Sequence, residues 1–201
     1  AQLVGPEQAL AAAASGPLEV LARETGEASV LGVRRGDEAF FVRQVQGVHI
    51  LGVVDDWTGR STPLHVSAIG KALIAFGAEP YDGALPRFTP RTITDPAVFA
   101  GELRRVRRRG YAVLRDELED GLSAVAAPVF DAAGACVAAI AVTGPTFRFA
   151  RSMHALGEHC RVSAAEITHC LGGVDAPPDG NNDPVGASKE KHAEVHADVR
   201  R

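Results

Sequence analysis

The chain has 201 residues, enough for one ordinary domain plus its ends, and with 46% apolar and 23% charged residues it has the balance of a globular protein that buries a core. Its net charge of −4 argues against the whole chain being a non-specific nucleic-acid binder, because phosphate contacts need a basic face. Three widely spaced cysteines (Cys136, Cys160, Cys170), with no CxxC, form no disulfide framework and point to a reducing cytoplasm, and no apolar run approaches the roughly 20 residues of a membrane span.

Residues 6–15 read as a short Ala-rich helix, and Ser15-Gly16-Pro17 as its break. The alanine run at 11–14 follows neither a basic segment nor a long apolar one, so it does not read as a signal peptide. Pro17 suits the first position of a second helix, which carries Leu18, Leu21 and Ala22 on one face and stops at Gly26. Two strand-like runs follow at 29–33 and 39–45, with Arg35-Gly36-Asp37 as the hairpin turn between them. A third run spans 49–54, and 55–63 reads as a polar loop.

Ser67 is a good N-cap for the next helix, since its hydroxyl accepts a backbone N–H of the first turn. Three prolines make 80–94 an irregular crossing. Asp95-Pro96 opens a helix that reaches Arg109 and ends at Gly110. A strand starts at 111–114, and two apolar strands at 123–130 and 135–143 flank a turn at 131–134. A long helix over 149–171 has the stripe Met153, Leu156, Cys160, Ala164, Ile167 and Leu171, at spacings of 3, 4, 4, 3 and 4. Beyond Gly172 the composition has little to bury and predicts disorder. Tight turns between successive strands make them antiparallel, so the expected class is α+β, with one antiparallel sheet and helices packed on it.

Several motifs fail on inspection. Gly70-Lys71 is no phosphate loop, because Leu64-His65 stands where the leading glycine belongs and no Ser or Thr follows the lysine. Ser67 and Lys71 are four apart, not the three of an S-x-x-K nucleophile. The five arginines in 104–109 read as a solvated helix face behind Leu103 and Val106. On the last helix His159 and Cys160 are adjacent and diverge, as do His169 and Cys170, so no metal is expected there. His192 and His196 have i, i+4 spacing but lack further ligands.

Five stretches carry a resemblance. They are L-A-R-E-T-G-E-A (21–28), L-H-V-S-A-I-G-K-A-L-I-A-F (64–76), F-T-P-R-T-I-T-D-P (88–96), R-R-V-R-R-R-G-Y-A-V with E-L-E-D-G-L-S-A-V-A-A-P-V-F-D (104–113 and 117–131), and A-A-I-A-V-T-G-P-T (138–146). In order and spacing they resemble the effector-binding domain of the IclR family of transcription regulators across roughly residues 17–171. The resemblance implies a GAF-like domain with a sheet of about six strands and a ligand cavity on one face. It implies a winged helix-turn-helix upstream of residue 1, absent from this chain, through which alone the protein meets DNA. It further implies a homodimer or homotetramer, no cofactor and no catalysis. The division expected is 1–26 as linker and entry helices, 27–172 as the effector-binding domain and 173–201 as a disordered tail.

For the site, a helix N-terminus offers free N–H groups and a positive dipole end, and the small residues of Ser67-Ala68-Ile69-Gly70 let a carboxylate approach the backbone. The resemblance likewise places an effector against Ala68 and Ile69. It adds Ile50, Val53, Leu122, Ala124, Ala141 and Thr143 as cavity lining, with Leu114 at the edge. Leu114, Ala124 and Ala141 stand where the family often has polar residues, which favours a more apolar effector, such as an aromatic acid, over a small polar one. His65 reads as a loop histidine satisfied by backbone, and Trp57 as either a lid or a cover for the core. The alternatives are a thiol-dependent enzyme on the same scaffold, which needs a reactive cysteine in a cleft, and an oligomerisation domain without ligand.

Overall fold

The computed structural model describes residues 5–49 and 55–174. Its elements in chain order are α1 (Pro6–Thr25), β1 (Ala28–Arg35), β2 (Glu38–Val45), β3 (Ser61–Pro63), a 3-10 turn (Leu64–Val66), α2 (Ala68–Phe76), α3 (Pro96–Arg109), β4 (Ala112–Arg115), β5 (Leu122–Phe130), β6 (Cys136–Pro145), α4 (Thr146–Phe149) and α5 (Met153–Cys170). The strands form one six-stranded sheet in the order β3-β2-β1-β6-β5-β4, and every neighbouring pair is antiparallel. The α+β class expected from the sequence is the one observed.

The sheet divides the core into two layers by the strand's period of two. On one face Val125, Ala127 and Val129 of β5 and Ala138, Ile140 and Val142 of β6 meet Leu18 and Leu21 of α1 and Cys160, Ala164 and Ile167 of α5. On the other face the same strands present Ala124, Ala126, Ala139 and Ala141 beneath Ala68, Ile69, Ala72 and Leu73 of α2. Large residues fill the first layer, while short ones leave space in the second. Gly32 of β1 adds to this, since a Cβ there would stand 2.9 Å from the Ile69 side chain. Helix α2 therefore packs close to the sheet.

Local signals are satisfied where expected. The Asp95 carboxylate accepts from the N–H groups of Ala97 and Val98, and Gly110 closes α3 with a left-handed φ of 79°. β1 and β2 pair Arg35 with Glu38, so Gly36 and Asp37 form the turn. Three sequence expectations need correction.

The predicted break at 15–17 is absent, and α1 runs unbroken through Pro17. An internal proline costs a helix about 3 kcal/mol. Leu10, Leu18 and Leu21 are all buried, and each buried leucine contributes roughly 1.5–3 kcal/mol, so tertiary packing outweighs the local penalty. Pro17→Ala restores the missing N–H and is expected to raise stability by about 1–2 kcal/mol, after allowing for the proline's stiffening of the unfolded chain. Urea unfolding checks this, and a loss of stability would show that the ring itself packs usefully.

The third strand lies at Ser61–Pro63, in the stretch read as a loop, whereas residues 50–54 of the predicted run lie outside the described residues. It is three residues long and pairs with β2 at the sheet edge, where proline is tolerated. The last helix is divided: α4 ends at Phe149 and α5 begins at Met153. Its predicted stripe is otherwise in place, with Leu156, Cys160, Ala164 and Ile167 buried. The tail expected from 173 onward lies almost wholly outside the described residues.

Candidate functional site

A cavity of about 60 Å³ opens between the N-terminus of α2 and the alanine-bearing face of the sheet. Ser67, Ala68 and Ile69 form its roof. Val30, Phe41, Gln44, Ala124, Ala141 and Thr143 form its floor. Trp57, Thr62 and Val66 stand on one side, and Leu114, Leu118 and Leu122 on the other. Seven residues singled out in the sequence thus meet around one space: Ala68, Ile69, Leu114, Leu122, Ala124, Ala141 and Thr143. Ile50 and Val53 lie outside the described residues. Sequence reasoning missed Val30, Phe41, Gln44, Thr62, Val66 and Leu118. Strand alternation offered a signal for Val30 and Phe41, but none existed for Leu118, which a long-range contact places.

The roof is built by capping and close approach. The Ser67 hydroxyl accepts from the Gly70 N–H at 3.2 Å. The N–H groups of Ala68 and Ile69, at the first two helical positions, are left without an intrahelical partner. Gly70 lets the preceding 3-10 turn pack directly on the helix, because a Cβ there would stand 2.2 Å from the Leu64 carbonyl oxygen. All of α2 from Ala68 to Ala75 is buried, so water competes little for its dipole end.

The walls are braced from several segments. The Gln44 side chain donates to the Asp55 carbonyl at 2.9 Å and accepts from the Trp57 N–H at 3.1 Å, tying down the loop that holds Trp57. Trp57 stacks edge-on against Phe41 at 5.8 Å, so it is both part of the cavity wall and a cover for the core. On the opposite side, Asp116 adopts a φ of 56°, rare outside glycine. Its carboxylate accepts from the Gly121 N–H at 2.9 Å and from the Thr146 hydroxyl at 2.5 Å. Thr89 and Thr92 donate to the Asp116 and Glu117 carbonyls at 2.6 and 2.7 Å. Together these bonds hold Leu118 and Leu122 on the cavity wall.

Lys71, fully buried one turn into α2, donates from Nζ to both Glu117 carboxylate oxygens at 2.6 Å and to the Val113 carbonyl at 3.2 Å. It is a strut between α2 and the segment after β4. Burial pushes the Glu117 carboxyl above its ordinary range, and Lys71 pulls it back.

His65 is buried and does not line the cavity. Its Nε2 donates to the Pro86 carbonyl at 3.0 Å, and burial lowers its pKa, so the ring is a neutral structural group. The α3 arginines are partly structural: Arg107 donates to the Ala75 carbonyl at 2.6 Å, and Arg105 and Arg109 pair with Glu102.

A family model described as the bacterial transcriptional regulator IclR C-terminal domain matches residues 4–169. The chain belongs to this family. Among curated relatives, this IclR C-terminal domain is 40% identical over 138 residues to the HTH-type transcriptional regulator BhcR of Paracoccus denitrificans (strain Pd 1222), covering 65% of this chain and 49% of that protein. It is 33% identical over 155 residues to the HTH-type transcriptional repressor AllR of Salmonella typhi, covering 74% of this chain and 57% of that protein. The chain thus spans about half the length of these relatives. Among solved structures, the Thermotoga maritima IclR superposes with a TM-score of 0.76 at 30% identity, over 81% of this chain and 68% of that one. The C-terminal domain of the E. coli transcriptional regulator KdgR superposes with a TM-score of 0.71 at 28% identity, over 82% of this chain and 99% of that one.

Among the described residues of this IclR domain, no group of three or more His, Cys, Asp or Glu is placed to hold a metal. No described helix is long and apolar enough to cross a membrane. Burial pushes the thiols of Cys136 and Cys160 up to about 12, the opposite of what a thiolate nucleophile needs.

Proposed function

We propose that this domain senses a small organic acid, and that binding changes how an upstream winged helix-turn-helix engages DNA. Residues 27–172 are the sensing unit and 1–26 the connection to the DNA-reading half. The protein works in the cytoplasm as a homodimer or homotetramer, without cofactor and without catalysis. The observation that carries this reading is the cavity itself, an apolar recess roofed by the buried start of α2, whose first two N–H groups have no intrahelical partner. A carboxylate seated on Ala68 and Ile69 gains hydrogen bonds and the helix dipole, while Phe41, Trp57 and Leu122 surround the remainder of the ligand.

The volume bears on effector size. A space of about 60 Å³ holds on the order of five water-sized groups. An acid of three or four carbons fits as the cavity stands, and an aromatic acid enters by displacing the Trp57 or Leu118 wall. In either case only a ligand with different affinities for two arrangements of the oligomer shifts their populations.

A thermal-shift screen of the purified chain against carboxylic acids tests the proposal. An acid at 100 times its Kd is expected to add roughly 2.7 kcal/mol of stability. Ala68→Trp fills the roof and is expected to abolish that gain. Leu122→Trp, at a half-buried wall position, is the second variant should Ala68→Trp fold poorly. An acid that stabilises both variants as well as the parent would show that the cavity is not its site.

A further inference from the structure

Helix α1 is held to the core unevenly along its length. Its later part buries Leu18, Leu21 and Ala22, and the Ser29 hydroxyl donates to the Leu18 carbonyl at 2.7 Å within the core. Among the described side chains of its earlier part, Leu10 and Ala14 are the buried ones. Gly16 and Pro17 stand between the two parts. Pro17 has no N–H, so the Ala13 carbonyl lacks the donor that the next turn of a helix supplies. Gly16 is exposed, and a Cβ there would meet nothing within 4 Å. Packing therefore does not require this glycine, and its effect is to loosen the helix at that turn. A glycine followed by a proline is a specific cause of bending in a helix.

A charged contact ties the earlier part of α1 to the sheet. Arg35, at the end of β1, donates to Glu7 from Nε at 3.2 Å and from Nη2 at 2.9 and 2.7 Å, reaching both carboxylate oxygens. Its guanidinium lies 3.4 Å over the ring of Phe40, which belongs to the same core layer as Leu10 and Leu18. Phe41, the next residue of β2, turns to the opposite face and lines the cavity. One strand and one ion pair thus separate the cavity floor from the start of α1. Arg35 keeps 40% and Glu7 22% of its side chain exposed, so the pair is weak enough to open and close.

We propose that α1 is a hinged lever: residues 18–25 are fixed to the core, residues 6–16 pivot at Gly16-Pro17, and the Glu7–Arg35 pair latches the pivoting part to the β1–β2 hairpin. A ligand that displaces Phe41 shifts the hairpin, changes the hold of the latch and resets the direction in which α1 leads out of the domain. The inference rests on the reading of residues 1–26 as the connection to a DNA-reading half. The hinge and the latch belong to this chain, so they stand or fall without that half and without a known ligand.

Amide hydrogen exchange on the purified chain tests the lever. Amides 10–16 are expected to exchange at least roughly tenfold faster than amides 18–25, since the two parts open separately. Arg35→Gln is expected to speed exchange of 10–16 by about 3- to 10-fold and to leave 18–25 unchanged. Glu7→Gln removes the same pair from the helix side and is expected to act alike, with no further gain in the double variant. Pro17→Ala is expected to bring the two parts into step by slowing 10–16. The link to the cavity is read with Phe41→Leu, which trims the cavity floor. It is expected to change the ratio of exchange between the two parts in the parent and to leave that ratio unchanged in Arg35→Gln.

Equal exchange of the two parts in the parent would overturn the hinge. A ratio unmoved by both Arg35→Gln and Glu7→Gln would overturn the latch. Phe41→Leu acting equally with and without Arg35, or not at all, would show that the hairpin does not connect the cavity to α1, and the lever would lose its input.

Discussion

Lys71→Met is expected to destabilise the domain by about 3–5 kcal/mol, because it leaves the Glu117 carboxylate buried without its counter-charge. The pair itself is not a large source of stability, since desolvating two charges offsets most of their attraction. The loss comes from stranding one partner. The double variant Lys71→Met, Glu117→Leu is therefore expected to recover most of the stability, and urea unfolding of the four combinations measures the coupling. If Lys71→Met alone is neutral, the strut does not exist as described.

The pH dependence has a definite sign. Burial raises the Glu117 carboxyl above its ordinary value of 4.5, and Lys71 opposes the rise. Without Lys71 the native carboxyl moves further up. The folded state then keeps a proton that the unfolded chain has released, so folding stability falls as pH rises above 4.5 until the native carboxyl ionises. Lys71→Met is thus least impaired at acid pH and more impaired toward neutrality, with a steeper decline than the parent. A decline no steeper than the parent's would show that Glu117 ionises as freely without Lys71 as with it.

Gly70→Ala sets two effects against each other. Alanine is the better helix former by about 1 kcal/mol. Here, however, its Cβ would meet Leu64 backbone atoms at 2.2, 2.5 and 2.7 Å, and backbone in a buried turn has nowhere to go. The clash forces α2 or the 3-10 turn to shift, and overpacking of this kind costs about 1–3 kcal/mol or more. A net loss of about 2 kcal/mol is expected. The shift also moves Ala68 and Ile69, so a bound acid is expected to lose at least roughly tenfold in affinity, which is about 1.4 kcal/mol. Equal or greater stability in Gly70→Ala would mean that helix propensity wins and that the close approach is overstated.

These two variants show where the sequence was legible. The Ser67 and Asp95 caps, the left-handed stop at Gly110 and the stripe of α5 could each be read along the chain. Caps act within one helical turn, and amphipathic periods repeat over a short window. The two strand faces were legible for the same reason: once 123–130 and 135–143 are strands, alternation assigns Val125, Val129, Ile140 and Val142 to one layer and Ala124, Ala126, Ala139 and Ala141 to the other. Family resemblance then brought seven dispersed residues to one cavity.

What the chain did not show locally was decided by contacts between distant segments. Lys71 looked like part of a failed phosphate motif, and only Glu117, 46 residues away, gives it a role. Pro17 signals a break to any local rule, yet burial of one face of α1 against α5 and the sheet carries the helix through it. β3 is too short for a periodic pattern and exists because β2 offers an edge. Thr62 read as one polar residue in a polar loop, and that edge pairing makes it a buried residue of the cavity wall. Local periodicity determined the elements and their faces. Long-range packing alone decided which polar groups would be paired across the fold.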